Sequence, residues 1–236
     1  MQINESGRKV WLSTATGDDD NSGATAPELH RLLPDGRWPF FGRAGRRGQP
    51  VLPEAMLTTT LILICAGTTR MARTGGFAGP DEPLDAGGRR DAARADHVGA
   101  TLIGCSPALA ARQTGQAMAL PLAVEAALAD IDHGQWTGRT FDAVPPQALR
   151  EWIADPAGGA PGGETMAQVQ QRIGPWIDHV AGLAGTWCAI THPMVVRAAL
   201  AHILDVPPRA MLAIDLAPLS RTRLSFNRGW RLQGIG

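Results

Sequence analysis

Residues whose types could do chemistry stand at the ends of three apolar runs. His192 follows Trp187–Thr191 (WCAIT), Ser106 follows Ala100–Cys105 (ATLIGC), and Cys65-Ala66-Gly67 lies inside Thr58–Thr69 (TTTLILICAGTT). Asp130 lies in Leu128–Gly138 (LADIDHGQWTG). A histidine with a carboxylate can move protons, and a cysteine can act as a nucleophile where its thiolate is favoured. Both Ser106 and His192 are followed by proline, the residue favoured at a first helical position, and a helix N-terminus attracts anions. Two phosphate motifs fail at Cys65. A cysteine phosphatase places five residues between thiolate and arginine, whereas Arg70 comes after four and Met71 occupies the required place. A P-loop needs a lysine opening a helix, and Lys9 is the only lysine of the chain. His30, His97, His133, His179 and His202 read as solvated or structural and lack zinc spacing, so neither a metal nor a cofactor is expected.

The elements that must position these residues follow from pattern. Leu61–Cys65 is an unbroken apolar stretch, too short for a membrane span and suited to a strand buried on both faces of a parallel sheet. Ala100–Cys105 and Trp187–Thr191 repeat that pattern. Polar residues at the carboxyl ends of such strands face the crevice where open α/β sheets bind ligands. Helices are expected from Asp85 to about His97, from Ser106 (as cap) to about Met118, over Pro145–Asp155, from Thr165 to about Leu183, and over Met194–Leu204. In the fourth of these Val169, Ile173, Trp176, Ile177 and Val180 form one apolar face. Leu122–Glu125 reads as a short edge strand, Met211–Leu216 and Ser220–Phe226 as further strands, and Trp230 and Leu232 belong to a terminal hairpin. The fold class is α/β, a three-layer α/β/α sandwich with a mostly parallel central sheet.

The order of these segments resembles the histidine phosphatase superfamily, the phosphoglycerate-mutase-like proteins. There the first strand ends in Arg-His-Gly, where this chain has Cys65-Ala66-Gly67; the next motif, Ser-Pro-Leu-x-Arg-x-x-Gln-Thr, is matched by Ser106, Pro107, Gln113 and Thr114, with Ala110 in the arginine place. Arg112 is no substitute, because two residues turn a helix by about 200°. Gly134, Trp136 and Gly138 match the segment carrying the family's proton donor, whose place Asp130 holds. Gly162-Gly163-Glu164 resembles Gly-Gly-Glu-Ser before the longest helix. His192, Arg197 and Ala198 match the second-histidine motif, although Pro193 cannot donate a backbone N–H. The resemblance implies a site at His192 and Asp130, with the nucleophile lost at Ala66 and two phosphate-binding arginines lost at Cys65 and Ala110. Gly67, Thr69, Arg73 and Ser106 are the implied remaining binding residues.

In the family the first histidine attacks phosphorus, the arginines and second histidine neutralise the phosphoryl oxygens, and an acid protonates the leaving alkoxide. Alanine at position 66 has no lone pair with which to attack, and the absent guanidiniums remove charge stabilisation, usually the largest catalytic contribution. The favoured reading is therefore a catalytically impaired member, a pseudophosphatase. The alternatives are an enzyme with acid–base chemistry repurposed on His192 and Asp130, and a phosphatase with a substitute nucleophile such as Cys65 or His192 itself.

Composition narrows the rest. Twenty-two basic residues balance 22 acidic ones, giving no net field toward nucleic acid or an anionic membrane, so the expected partner is a small molecule, phosphorylated compounds among the candidates. Residues 1–55 lack any apolar period and read as a disordered leader or a mis-assigned start, with the phosphatase-like domain over 56–236. Three cysteines in apolar runs, an odd number without a secretion signal, point to a reduced, cytoplasmic protein. Oligomeric state has no signature in the chain.

Overall fold

The computed structural model describes residues 58–236, apart from 97 and 122, together with an antiparallel pair of two-residue strands, Gln2–Ile3 and Lys9–Val10. The expected leader otherwise lies outside the described residues. The chain divides into Met1–Pro50 and Val51–Gly236, and the second unit holds every element discussed below.

Its centre is a five-stranded sheet in the order β2-β3-β1-β4-β5, made of β1 (Thr59–Cys65), β2 (Thr101–Cys105), β3 (Gly185–Thr191), β4 (Arg221–Phe226) and β5 (Trp230–Ile235). β2, β3 and β1 run parallel, and β4 and β5 continue the sheet as an antiparallel hairpin. β1 is central and buried on both faces, as its aliphatic run requires. Leu61, Leu63 and Cys65 pack in one core with α5 (Met166–Ala181) and α6 (Pro193–Leu204). Ile62, Ile64 and Ala66 pack in another, with Ala110 and Ala111 of α3 (Leu109–Ala117); α2 (Ala86–Arg94) lies against α3. The apolar face expected on α5 is present, with Val169, Ile173, Ile177 and Val180 fully buried. Thr165 and Gln168 close its first turn with a reciprocal capping box.

Register brings the strand ends level. Cys65 sits opposite Thr191 and Cys105 opposite Ile190, and the ladder runs one step further, from Ala66 N–H to the Thr191 carbonyl and from Ser106 N–H to the Ile190 carbonyl, both 2.8 Å. Ala66, Ser106 and His192 thereby arrive at one edge of the sheet.

Several elements differ from expectation. Ser106 does not cap α3: its backbone is still paired to β3, so the chain turns two residues later and Ala108 takes the cap position, while Ser106 Oγ accepts the Ala108 N–H at 3.2 Å. Met211–Leu216 is not a strand. Consecutive prolines at 207 and 208 begin a 3₁₀ helix, Pro208–Ala213, in their place, proline being tolerated where no N–H is needed. The expected edge strand at 122–125 reduces to one bridge between Cys105 and Val124. The segment after β1 contains a short helix not expected from the pattern, α1 (Arg70–Thr74), capped by Thr69. The remaining helix, α4 (Pro146–Ala154), lies close to the expected Pro145–Asp155.

Candidate functional site

The sheet edge opens into a crevice of about 290 Å³, lined by residues from several segments. Ala66, Gly67 and Thr69 come from the turn after β1, Pro107, Ala108 and Ala110 from the start of α3, and Asp130, Asp132 and His133 from a loop. His192 and Pro193 come from the start of α6, and Glu82 from the segment before α2. Among the described residues, no arginine or lysine lines it.

At its base is a chain of three polar side chains. His192 Nδ1 lies 3.2 Å from Asp130 Oδ2, and His192 Nε2 lies 2.9 Å from Ser106 Oγ. A carboxylate only accepts, and Ser106 Oγ already accepts the Ala108 N–H, so in the neutral imidazole Nδ1 donates to Asp130 while the serine hydroxyl donates to Nε2. Asp130 Oδ1 accepts the Ile131 N–H at 2.8 Å. The residue types are those of a nucleophilic triad, but Ser106 is completely buried, so its hydroxyl cannot meet a substrate. Here serine and aspartate fix the tautomer and orientation of the imidazole, and Asp130, with 30% of its side chain exposed, is the chain's open end.

The Asp130 loop is bolted to α5. Arg172 binds Glu164 with two nitrogens, at 2.9 and 3.1 Å, and donates to the carbonyls of Ala127 and Asp130 at 2.8 and 3.0 Å. Glu164 also accepts the Asp132 N–H at 3.0 Å. The glycines of this region serve close backbone approach: Gly134 has φ +49°, and a Cβ on Gly163 would run into the Asp132 carbonyl. The ring of His133, which also lines the crevice, meets Phe77 edge to face at 5.0 Å, and Phe77 packs against Trp136, Phe141 and Trp152. Burial holds the His133 imidazole below its ordinary pKa, so the ring is neutral near pH 7.

The fold brings Ala66, Gly67, Thr69, Ala110, Asp130 and His192 to the crevice and leaves three other candidates out of its lining. Arg73 turns away to Asp85, 2.7 Å from Nε, with Asp85 held at a pKa of about 2 first by that bond and then by the Gly88 amide. Cys65 faces the core on the other side of the strand from Ala66, and Ser106 is sealed beneath the floor. Gly67 and Thr69 have structural duties as well: Gly67 N–H donates to Thr114 Oγ1 at 2.9 Å, and Thr69 Oγ1 accepts the Ala72 N–H at 3.1 Å. The sequence reading missed Glu82, Asp132 and His133. His133 stands three residues after Asp130, the one clue that the same loop would carry it inward.

The three cysteines are buried, and desolvation raises all their pKa values, those of Cys105 and Cys188 to about 11. A pKa near 11 in place of the ordinary 9.0 leaves about a hundredfold less thiolate at pH 8. Titration with a chromogenic disulfide at pH 8 is expected to find the native thiols nearly unreactive and all three available in denaturant. A raised folded-state pKa favours the fold while the thiol is protonated. This contribution is complete below about pH 8.5 and is lost as the pH rises toward 11. A cysteine reacting rapidly in the native state would contradict this burial.

Comparison with known proteins agrees with the architecture. The family model of the histidine phosphatase superfamily (branch 1) matches residues 61–235. Bifunctional protein Rv2228c of Mycobacterium tuberculosis is 29% identical over 196 residues, covering 76% of this chain. The chain spans about half the length of the curated relatives it matches. Among solved structures, mycobacterial hydrolase 1 aligns with a TM-score of 0.66 at 25% identity, over 75% of this chain and 97% of its own. Bacillus stearothermophilus YhfR aligns with a TM-score of 0.66 at 25% identity, over 74% and 95%. A mycobacterial glucosyl-3-phosphoglycerate phosphatase gives 0.64 at 25% identity, over 75% and 97%. With its three parallel strands ending level at one crevice and a family match running from β1 into β5, the chain belongs to the histidine phosphatase superfamily.

Proposed function

We propose that this protein is a catalytically impaired histidine phosphatase, retaining the fold and crevice as a small-molecule binding module. The observation that carries the reading is the make-up of the crevice: alanines at 66 and 110 line it, and among the described residues no guanidinium does. Phosphoryl transfer is almost entirely positioning and charge stabilisation, so a site lacking both the attacking imidazole and the cationic cradle lacks the means of that chemistry. Cys65 does not replace the nucleophile, because its thiol is buried and desolvation keeps it protonated. Arg73 does not replace the cradle while it is held by Asp85.

A second reading rests on the Asp130–His192 contact, a carboxylate and imidazole positioned for proton transfer to a ligand that need not carry phosphate. It is weaker, because both ring nitrogens already have partners. Hydrolysis of p-nitrophenyl phosphate and a panel of sugar phosphates tests the first reading. No turnover is expected above the background of a His192→Ala control. A turnover number in the usual range of about 1–10³ s⁻¹ would refute it.

A further inference from the structure

The sheet ends at β5, and among the described residues no strand pairs with its outer edge. Its backbone N–H and C=O groups on that side are open to a further strand. The two faces beside the edge differ in chemistry. Leu224 pairs with Leu61 and Leu232, and Thr222 with Leu63 and Ile235, so Leu232 and Ile235 lie on the α6 side of the sheet with the Leu61 core. Both stay open at its rim, 36% and 38% exposed. On the other face Arg223 pairs with Ile62 and Arg231 with Ser225, and Gln233 turns the same way to donate to Ser225 Oγ at 2.9 Å. That side is packed against α3 over β1, β2 and β3, but Arg223 and Arg231, beyond them, are exposed. Neither has a carboxylate partner among the described residues.

We infer that β5 is a docking edge for an extended peptide of a partner protein, one whose residues alternate between acidic and aliphatic. A strand added there continues the ladder through its backbone, and its side chains fall alternately on the arginine face and on the face of Leu232 and Ile235. Carboxylates on the first face meet Arg231 directly and Arg223 one strand further in, each guanidinium able to engage a carboxylate with two N–H groups. Aliphatic residues on the second face cover Leu232 and Ile235. A second copy of the chain fits less well, because β5 paired with β5 sets arginine-bearing faces side by side, and like charges across strands are unfavourable. Nucleic acid also fits less well, since the aromatic rings of the hairpin, Phe226 and Trp230, lie on the α6 side and leave the arginine face without a platform for bases. Arginine on an edge strand deters indiscriminate pairing, so the charge of the incoming strand selects it. The inference is independent of what the crevice does.

The test titrates capped octapeptides into the isotope-labelled full-length protein and follows its backbone amides by NMR. One peptide alternates glutamate and valine, a second has lysine in place of glutamate, and a third carries the glutamates and valines of the first in two blocks; a thymidine octanucleotide is the fourth probe. Saturable binding of the alternating glutamate peptide is expected, with a Kd below about 1 mM and with shifts centred on β5 while β2, at the opposite edge, is unchanged. In Arg223→Glu/Arg231→Glu its affinity should fall at least about tenfold and the lysine peptide should bind instead, a reversal that an unfolded variant could not show. Equal binding of the lysine or block peptide to the unmodified protein, tighter binding of the oligonucleotide, shifts centred on β2 or the crevice, or no binding of the alternating glutamate peptide up to about 1 mM overturns the inference, whether or not the variant folds. Amide shifts at β5 that change on dilution of the protein alone would assign the edge to a second copy and overturn it as well.

Discussion

Ala66→His alone is expected to leave phosphatase activity near background, whereas Ala66→His with Ala110→Arg is expected to raise it by at least about 10², the scale on which a single charge-stabilising donor acts. Both alanines line the crevice, so both new side chains enter it, and nucleophile and clamp act as a unit whose effects are strongly non-additive. Adding Cys65→Arg, which completes the family's motif, carries a structural cost. Cys65 is fully buried beside Leu63, close enough to Arg197 and to Asp130 to feel both charges, and an arginine there would overfill a packed core and set a second guanidinium near the first. Overpacking a well-filled core costs about 1–3 kcal/mol. The triple variant is therefore expected to unfold well below the double one, and activity must be compared at a temperature where both are folded. His192→Ala in the double background should remove what was gained. Full activity from Ala66→His alone would mean that other cations already hold the phosphate, Arg70 being the nearest uncommitted one in sequence. A double variant that folds and stays inert would favour a ligand other than a phosphate ester.

What the residues disclosed in advance was mainly the sheet and its edge. β1, β2 and β3 are legible because strands buried on both faces must be continuously apolar, and His192-Pro193 is legible because proline can begin a helix but not continue a central strand. The convergence of Ala66, Ser106 and His192 follows from parallel register, which the repeated pattern implies. Less legible were features decided by packing between segments distant in sequence. Ser106 looks like a helix cap from its neighbours, but pairing to β3 holds its backbone in the strand, and its hydroxyl reaches an imidazole 86 residues away. Arg73 looks like a crevice cation until Asp85 is seen to hold it. The charge of the crevice was hidden for the same reason. Glu82 and Asp132 sit in polar loops whose composition says only that they are solvated, and the fold alone turns them toward one space.

Removal of Arg172 is the stability change with the largest expected consequence for the site. Its guanidinium makes four hydrogen bonds, two to Glu164 and one each to the Ala127 and Asp130 carbonyls, so a single side chain ties the Asp130 loop to α5. With 23% of the arginine and 26% of the glutamate side chain exposed, the pair is screened less than a surface bridge and more than a core one. A loss of about 2–3 kcal/mol in Arg172→Ala is accordingly expected, a fall of roughly 4–12 °C in Tm for a domain of this size. Arg172→Lys should recover only part, since an ammonium cannot engage both carboxylate oxygens and two carbonyls in one plane. Acid sensitivity gives an independent check. Burial pushes the Glu164 carboxyl upward, but Arg172 and the Asp132 amide outweigh it and hold the group below its ordinary value. A depressed folded-state pKa contributes stability that is complete above about pH 4.5 and disappears as the pH falls through the folded value. Glu164→Gln should therefore narrow the stability gap to wild type below pH 4 while remaining clearly less stable at pH 7. The Asp130 loop should report the same event locally: in Arg172→Ala, amide exchange at Ile131 and Asp132 should accelerate far more than at Leu63 in the sheet core, because the loop loses its anchor while β1 keeps its ladder. Uniform acceleration across both would show that Arg172 supports the whole domain, and no acceleration at Ile131 would show that the glycine contacts at 134 and 163 hold Asp130 in place without it.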